Sequence, residues 1–159
     1  MKERINVKST KAMSALYGFS TYLAKSTVEQ SLLELIYFRV SQVNGCAYCL
    51  DMHSKDLRAK GETEQRLYVL DAWREAPFYT DRERAALAWA EAVTKITGGN
   101  VSDEVYEQAI AQFSEQELAD LTIAVIAINS YNRINIAFPV PSAVGTYQPG
   151  AHAVQTTNA

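Results

Sequence analysis

Cys46 and Cys49, the chain's two cysteines, stand three residues apart, and His53 follows four residues after the second. On a helix turning about 100° per residue, Cys46, Cys49, His53 and Leu57 fall at i, i+3, i+7 and i+11 and share one stripe. Two thiols and an imidazole on one stripe suit redox or metal chemistry better than a structural staple. Near a helix start, unpaired backbone N–H groups and the helix dipole favour a thiolate at Cys46. Cys49 is four residues from His53, whose imidazole can take a thiol proton. Sequence does not rank the two effects, and register with His53 gives Cys49 only a small geometric advantage. Glu34 lies among Leu32, Leu33, Leu35 and Ile36. It is either salt-bridged at an edge, with Arg39 for example, or buried, where it could accept a proton relayed from Cys49 through His53.

Helices must position these groups. Lys8 to Lys25 has apolar residues at helical spacing. Ser26-Thr27-Val28-Glu29 reads as a capping box opening a helix to about Val43, apolar nearly all round between Leu32 and Phe38. Asn44-Gly45 breaks that helix, and the motif helix then runs from Cys46 to a stop at Gly61. A short helix over Thr63 to Ala72 leads into a connector whose Pro77 blocks helix continuation. Thr80 and Glu83 form a second box, opening an Ala-rich helix to about Ile96. Ser102 caps a helix through Gln112, and Ser114 with Glu117 opens a long one through Ala127 toward Ala137. The fold class is therefore all-α, a bundle of about six to seven helices. Residues 1–138 form a single domain and 139–159 a C-terminal tail, rich in Pro, Gly, Ser and Thr, whose last dozen residues look untethered.

At 159 residues the chain suits one domain with a sizeable core. A net charge of −3, without a Lys/Arg cluster on any expected face, argues against nucleic acid or an anionic membrane as partner. The charged start Met1-Lys2-Glu3-Arg4 lacks an apolar stretch after it, so no secretory signal is expected. The longest apolar run, Leu121 to Asn129, falls far short of the ~20 residues a membrane span needs, and a cytoplasmic location is expected.

The pattern Glu-x11-Cys-x2-Cys-x3-His at Glu34, Cys46, Cys49 and His53 resembles the core motif of the alkylhydroperoxidase D-like branch of the carboxymuconolactone decarboxylase family. The resemblance is strongest over residues 23–96. Ser41 to Gly45 and the stretches Trp73-Arg74-Glu75 and Asp81 to Arg84 also look typical of its small single-domain members. It implies an all-helical protein assembled as trimers or hexamers that reduces hydroperoxides with thiols. By position, Cys49 matches the thiol that attacks peroxide and becomes a sulfenic acid. Cys46 matches the resolving partner and proton donor, and His53 with Glu34 matches the relay. An external dithiol then reduces the disulfide, and no cofactor is implied. The sequence departs from the branch's hydroperoxidase in carrying Tyr48 where that enzyme has a histidine, and in being shorter. The resemblance therefore does not extend to the identity of peroxide or reductant.

Other readings of the same residues are a lactone-acid decarboxylase that does not depend on the cysteines, and a redox-sensing or zinc-binding module using Cys46, Cys49, His53 and a carboxylate. Tyr48, Trp73, Phe78, Tyr79 and Trp89 either wall an apolar pocket or pack in the core. Asn129, Asn132, Arg133 and Asn135 are unusually polar after an apolar run, as an oligomer contact or solvent exposure would explain. Short Ala-rich helices beside a buried one leave apolar surface for homo-oligomer packing. His152 lies in the tail and carries no assigned role.

Overall fold

The fifteen-residue helix Gln30–Asn44 is the axis of the molecule. In the computed structural model, which describes residues 4, 7 and 10–151, seven α-helices follow one another without a strand among the described residues. They are α1 (Ala12–Leu23), α2 (Gln30–Asn44), α3 (Ala47–Ala59), α4 (Glu64–Tyr68), α5 (Asp81–Thr94), α6 (Asp103–Ile110) and α7 (Glu115–Ala137). Short 3-10 turns sit at Leu70–Ala72, Ile96–Gly98 and Pro141–Ala143. His152 and the rest of 152–159 lie outside the described residues. Among those described, no helix is long and apolar enough to cross a membrane.

α2 is central because Leu33, Leu35, Ile36, Phe38 and Val40 point several ways and are all buried. A helix apolar on every side must be covered on every side, and α3, α5 and α7 do so. Ala85, Ala86, Ala88 and Ala90 of α5 are buried in the same core, and such small side chains permit close helix approach. α1 lies on α7, and α6 packs on α5 and α7.

The capping boxes at Thr80 and Ser114 form in both directions, each hydroxyl accepting from the N3 backbone while the N3 glutamate accepts from the cap. The box expected at Ser26 does not form, and α2 starts four residues later, after Glu29. Asp120 of α7 is buried, and it recruits the Ser26 hydroxyl at 2.5 Å together with the Tyr22 phenol and the Gln116 amide. A buried carboxylate short of donors costs more than a missing helix cap. α5 ends at Thr94, α6 ends at Ile110, and α7 runs its full expected length to Ala137.

From Pro139 to Ala151 the C-terminal segment is anchored on α3. Tyr147 is buried with its hydroxyl on both oxygens of Asp56, and the Gly150 amide donates to the same carboxylate at 2.9 Å. Lys55 Nζ donates to the carbonyls of Gly145 and Tyr147, and the Gly145 amide to Asp51. Of the last dozen residues expected to be untethered, 148–151 belong to this anchored segment, because composition does not register main-chain groups, which make most of these bonds.

Candidate active site

One glycine sets up the site. Gly45 is left-handed (φ 68), its amide returning to Gln42 O and the next amide, of Cys46, to Ser41 O at 3.1 Å. That pair of bonds is the Schellman closure of α2. Cys46 is at once the N-cap of α3, its carbonyl accepting from the Leu50 amide at 2.9 Å. One helix ends and the next begins around a single residue, so Cys46 is held by two backbone networks. α3 closes in the same way: Gly61 (φ 97) donates to Arg58 O and Glu62 to Leu57 O.

Cys46 and Cys49 are each 1% exposed, and their sulfurs lie 2.41 Å apart as a disulfide pair. Cys49, His53 and Leu57 are the buried residues of α3 and form the expected stripe, whereas Cys46, expected at its start, is the extended N-cap just before the helix. His53 is 8% exposed and packs on Tyr37 of α2, ring centroids 5.6 Å apart. Burial first, then the charge of Glu34 and the presence of Tyr131, push the Tyr37 phenol well above its ordinary value. Asn135 of α7 donates its side-chain amide to Cys49 Sγ at 3.5 Å.

Glu34 stands one turn before Tyr37 on α2, with its side chain 16% exposed. One carboxylate oxygen pairs with Lys60, at the end of α3, while Oε2 is buried without a hydrogen-bond partner among the described residues. Its salt-bridge partner is thus Lys60 rather than Arg39. Arg39 turns to the other side of α2, donating to Glu91 at 2.8 Å, to Asp71 and to Gln42.

Glu91 is the buried anchor of that second cluster, accepting also from Trp73 Nε1 at 2.9 Å and Arg74 at 2.8 Å. Burial alone would raise its carboxyl, but donation from Trp73, Arg74 and Arg39 outweighs this and holds it below the usual range. Trp73 and Tyr79 enter the core, whereas Phe78 is exposed and Trp89 bonds to Thr122. These aromatics follow ordinary packing, with Trp73 also a donor.

The asparagines of α7 face inward. Asn132 is fully buried and donates to Ser41 Oγ at 3.0 Å, while the Asn44 amide donates to both Asn129 and Asn132. The expectation of solvent exposure fails for Asn132, because these amides satisfy the end of α2 just before Gly45. Sequence reasoning gave no site role to Tyr37, Lys60 or Asn135. For Asn135 a signal existed: the buried stripe through Val125, Ile128 and Asn132 continues to it at helical spacing.

A model of the carboxymuconolactone decarboxylase family matches residues 9–92, a span that includes Glu34, Cys46, Cys49 and His53. The uncharacterized protein YdfG of Bacillus subtilis (strain 168) is 44% identical over 125 residues, covering 79% of this chain and 85% of its own length. Among solved structures, the chain is similar to a protein of unknown function from Agrobacterium tumefaciens, suggested to be an antioxidant defence protein AhpD. The two share 42% identity and a TM-score of 0.82 over 86% of this chain and 95% of that one. The debrominase Bmp8, solved with 2,3,4-tribromopyrrole, has the same fold at 21% identity and a TM-score of 0.72, over 82% of this chain and 70% of that one.

Proposed function

Because this chain belongs to the carboxymuconolactone decarboxylase family, in its alkylhydroperoxidase D-like branch, we propose that it is a thiol-dependent peroxidase or disulfide oxidoreductase acting on hydroperoxides. The observation that carries the reading is the pairing of the Cys46 and Cys49 sulfurs at the start of α3, with Cys49 on the buried stripe that also holds His53. In the reduced protein the Cys49 thiolate attacks the peroxide O–O bond. An S–O bond forms as the O–O bond breaks, and the departing alkoxide takes a proton handed on from His53 and Glu34. The Cys46 thiolate then displaces hydroxide from the Cys49 sulfenic acid, giving the disulfide and, with a proton, water. An external dithiol of a reducing, cytoplasmic compartment supplies two electrons and two protons to restore both thiols.

The test is peroxide consumption by the reduced protein, followed by intact mass and peptide mapping. The expected result is a loss of two hydrogens that maps to Cys46–Cys49. Cys46→Ser is expected to stall as a sulfenic acid at Cys49, and Cys49→Ser to be inactive. Full turnover by Cys49→Ser would exchange the assigned roles or remove them. Activity indifferent to thiol alkylation would favour a decarboxylase instead.

A further inference from the structure

Asn135 lies near the C-terminal end of α7, beyond residues 9–92 that the family model matches. Its side-chain nitrogen makes two contacts, to the Tyr131 carbonyl one turn back at 3.0 Å and to Cys49 Sγ at 3.5 Å. The first determines the sense of the second. A main-chain carbonyl only accepts, so the group turned toward Tyr131 is the amide NH2, which carries two hydrogens. One is used on the carbonyl and the other remains for the sulfur. Cys46 Sγ receives no such donor among the described residues, so the two thiols differ in hydrogen bonding although they are equally buried.

A donor aimed at sulfur distinguishes its protonation states, since hydrogen bonds to an ionised acceptor are about twice as strong as neutral ones. Other polar and titratable groups stand on α2, α3 and α7. Cys46 caps α3 and His53 lies on it, Tyr37 and Glu34 belong to α2, and Tyr131 of α7 turns its hydroxyl to Leu16 O. Asp51 and Asp56 of α3 are engaged by the C-terminal segment. Asn135 is held in orientation by the Tyr131 carbonyl and is a neutral donor that no change of pH removes.

We propose that Asn135 is a catalytic residue of this site, its amide N–H holding the Cys49 sulfur as the thiolate and so marking Cys49 rather than Cys46 as the nucleophile. The proposal rests on the redox reading of the site given above. It gives a structural reason for a choice that the helix dipole and His53 leave open. When a dithiol opens the disulfide, its thiolate bonds to the Cys46 sulfur as the S–S bond breaks, and Cys49 leaves as a thiolate that Asn135 stabilises. The dithiol's second thiol then displaces Cys46, which takes that thiol's proton, and the dithiol closes to its own disulfide.

The experiment titrates one thiol at a time in the full-length reduced protein. With Cys46→Ser in place, the Cys49 thiolate is followed by ultraviolet absorbance and by iodoacetamide alkylation rate against pH. Asn135→Ala is expected to raise the midpoint by about one pH unit, and Asn135→Asp by more, because a second negative charge opposes the first. Asn135→Leu, close in volume, is expected to match the alanine variant, which separates a lost hydrogen bond from a packing defect. With Cys49→Ser in place, the Cys46 midpoint is expected to stay put. An unmoved Cys49 midpoint, or equal shifts at both cysteines, overturns the proposal. No peroxide enters the measurement, so a protein that shows the shift yet consumes no peroxide loses the function proposed above and keeps this assignment.

Discussion

At the scale of single residues, the chemistry proposed for the site depends on one imidazole serving one sulfur. His53 is buried on the same stripe as Cys49, braced by the Tyr37 ring at 5.6 Å. A positioned acid or base typically contributes on the order of 10²-fold or more to a rate. His53→Ala is therefore expected to slow peroxide consumption by about that factor, with the thiol count unchanged. Stopped-flow measurement of the first turnover reads this directly, and a rate within twofold of the parent would remove His53 from the relay. Glu34 is legible as the acid of the motif, but its ion pair is not. Lys60 lies 26 residues along the chain from Glu34, and only the antiparallel return of α3 along α2 brings the two together. The same holds for Asn135, whose partner Cys49 is 86 residues away.

At the scale of elements, the junction of α2 and α3 decides where the sulfurs sit. Gly45 has open space around it, so nothing would clash with a Cβ there, and the constraint is its φ of 68 alone. A left-handed conformation costs an ordinary side chain roughly 1–2 kcal/mol. Gly45→Ala is expected to destabilise the fold by about that amount, measured by urea denaturation, with Gly45→Asn losing less. If alanine proves neutral, the Schellman closure is not what holds Cys46. Helix starts are readable where a cap is uncontested, as at Thr80 and Ser114, because capping boxes close within four residues. The start at Ser26 is misread because Asp120, 94 residues away, takes the hydroxyl.

At the scale of the whole molecule, buried charge ties the layers together. Arg39 of α2, Trp73 and Arg74 of the connector, and Glu91 of α5 meet at one carboxylate. Removing one partner of a buried pair costs about 3–5 kcal/mol, and Glu91→Ala is expected to fall in that range by chemical denaturation. The pH dependence follows from the lowered pKa of Glu91. The stability it contributes is in place above the unfolded carboxylate value of 4.5 and is lost as pH falls through the lower folded value. Melting temperature should then drop below about pH 4.5, and less steeply in Glu91→Gln; identical slopes would exclude Glu91 as the source. Apolar surface also remains outside. Ile96 and Ile126 are exposed along a groove of about 200 Å³ that Arg133 also lines, with Ile136 exposed further along α7. We propose self-association, as trimer or hexamer, and light scattering showing a clean 17.7 kDa monomer would refute it.

The sequence by itself determined what depends on neighbours along the chain. It determined the helical class, the break at Gly45, two of three capping boxes, and the common stripe of Cys49 and His53. Helical periodicity and capping act over a few residues, so a linear reading captures them. The tertiary structure alone decided which partner satisfies each polar group. Lys60 rather than Arg39 meets Glu34, Asp120 takes Ser26, α3 holds the segment after Pro139, and Asn135 reaches Cys49. Burial makes an unpaired donor or acceptor costly. Each such group takes the partner that packing brings within reach, and sequence spacing does not encode that distance.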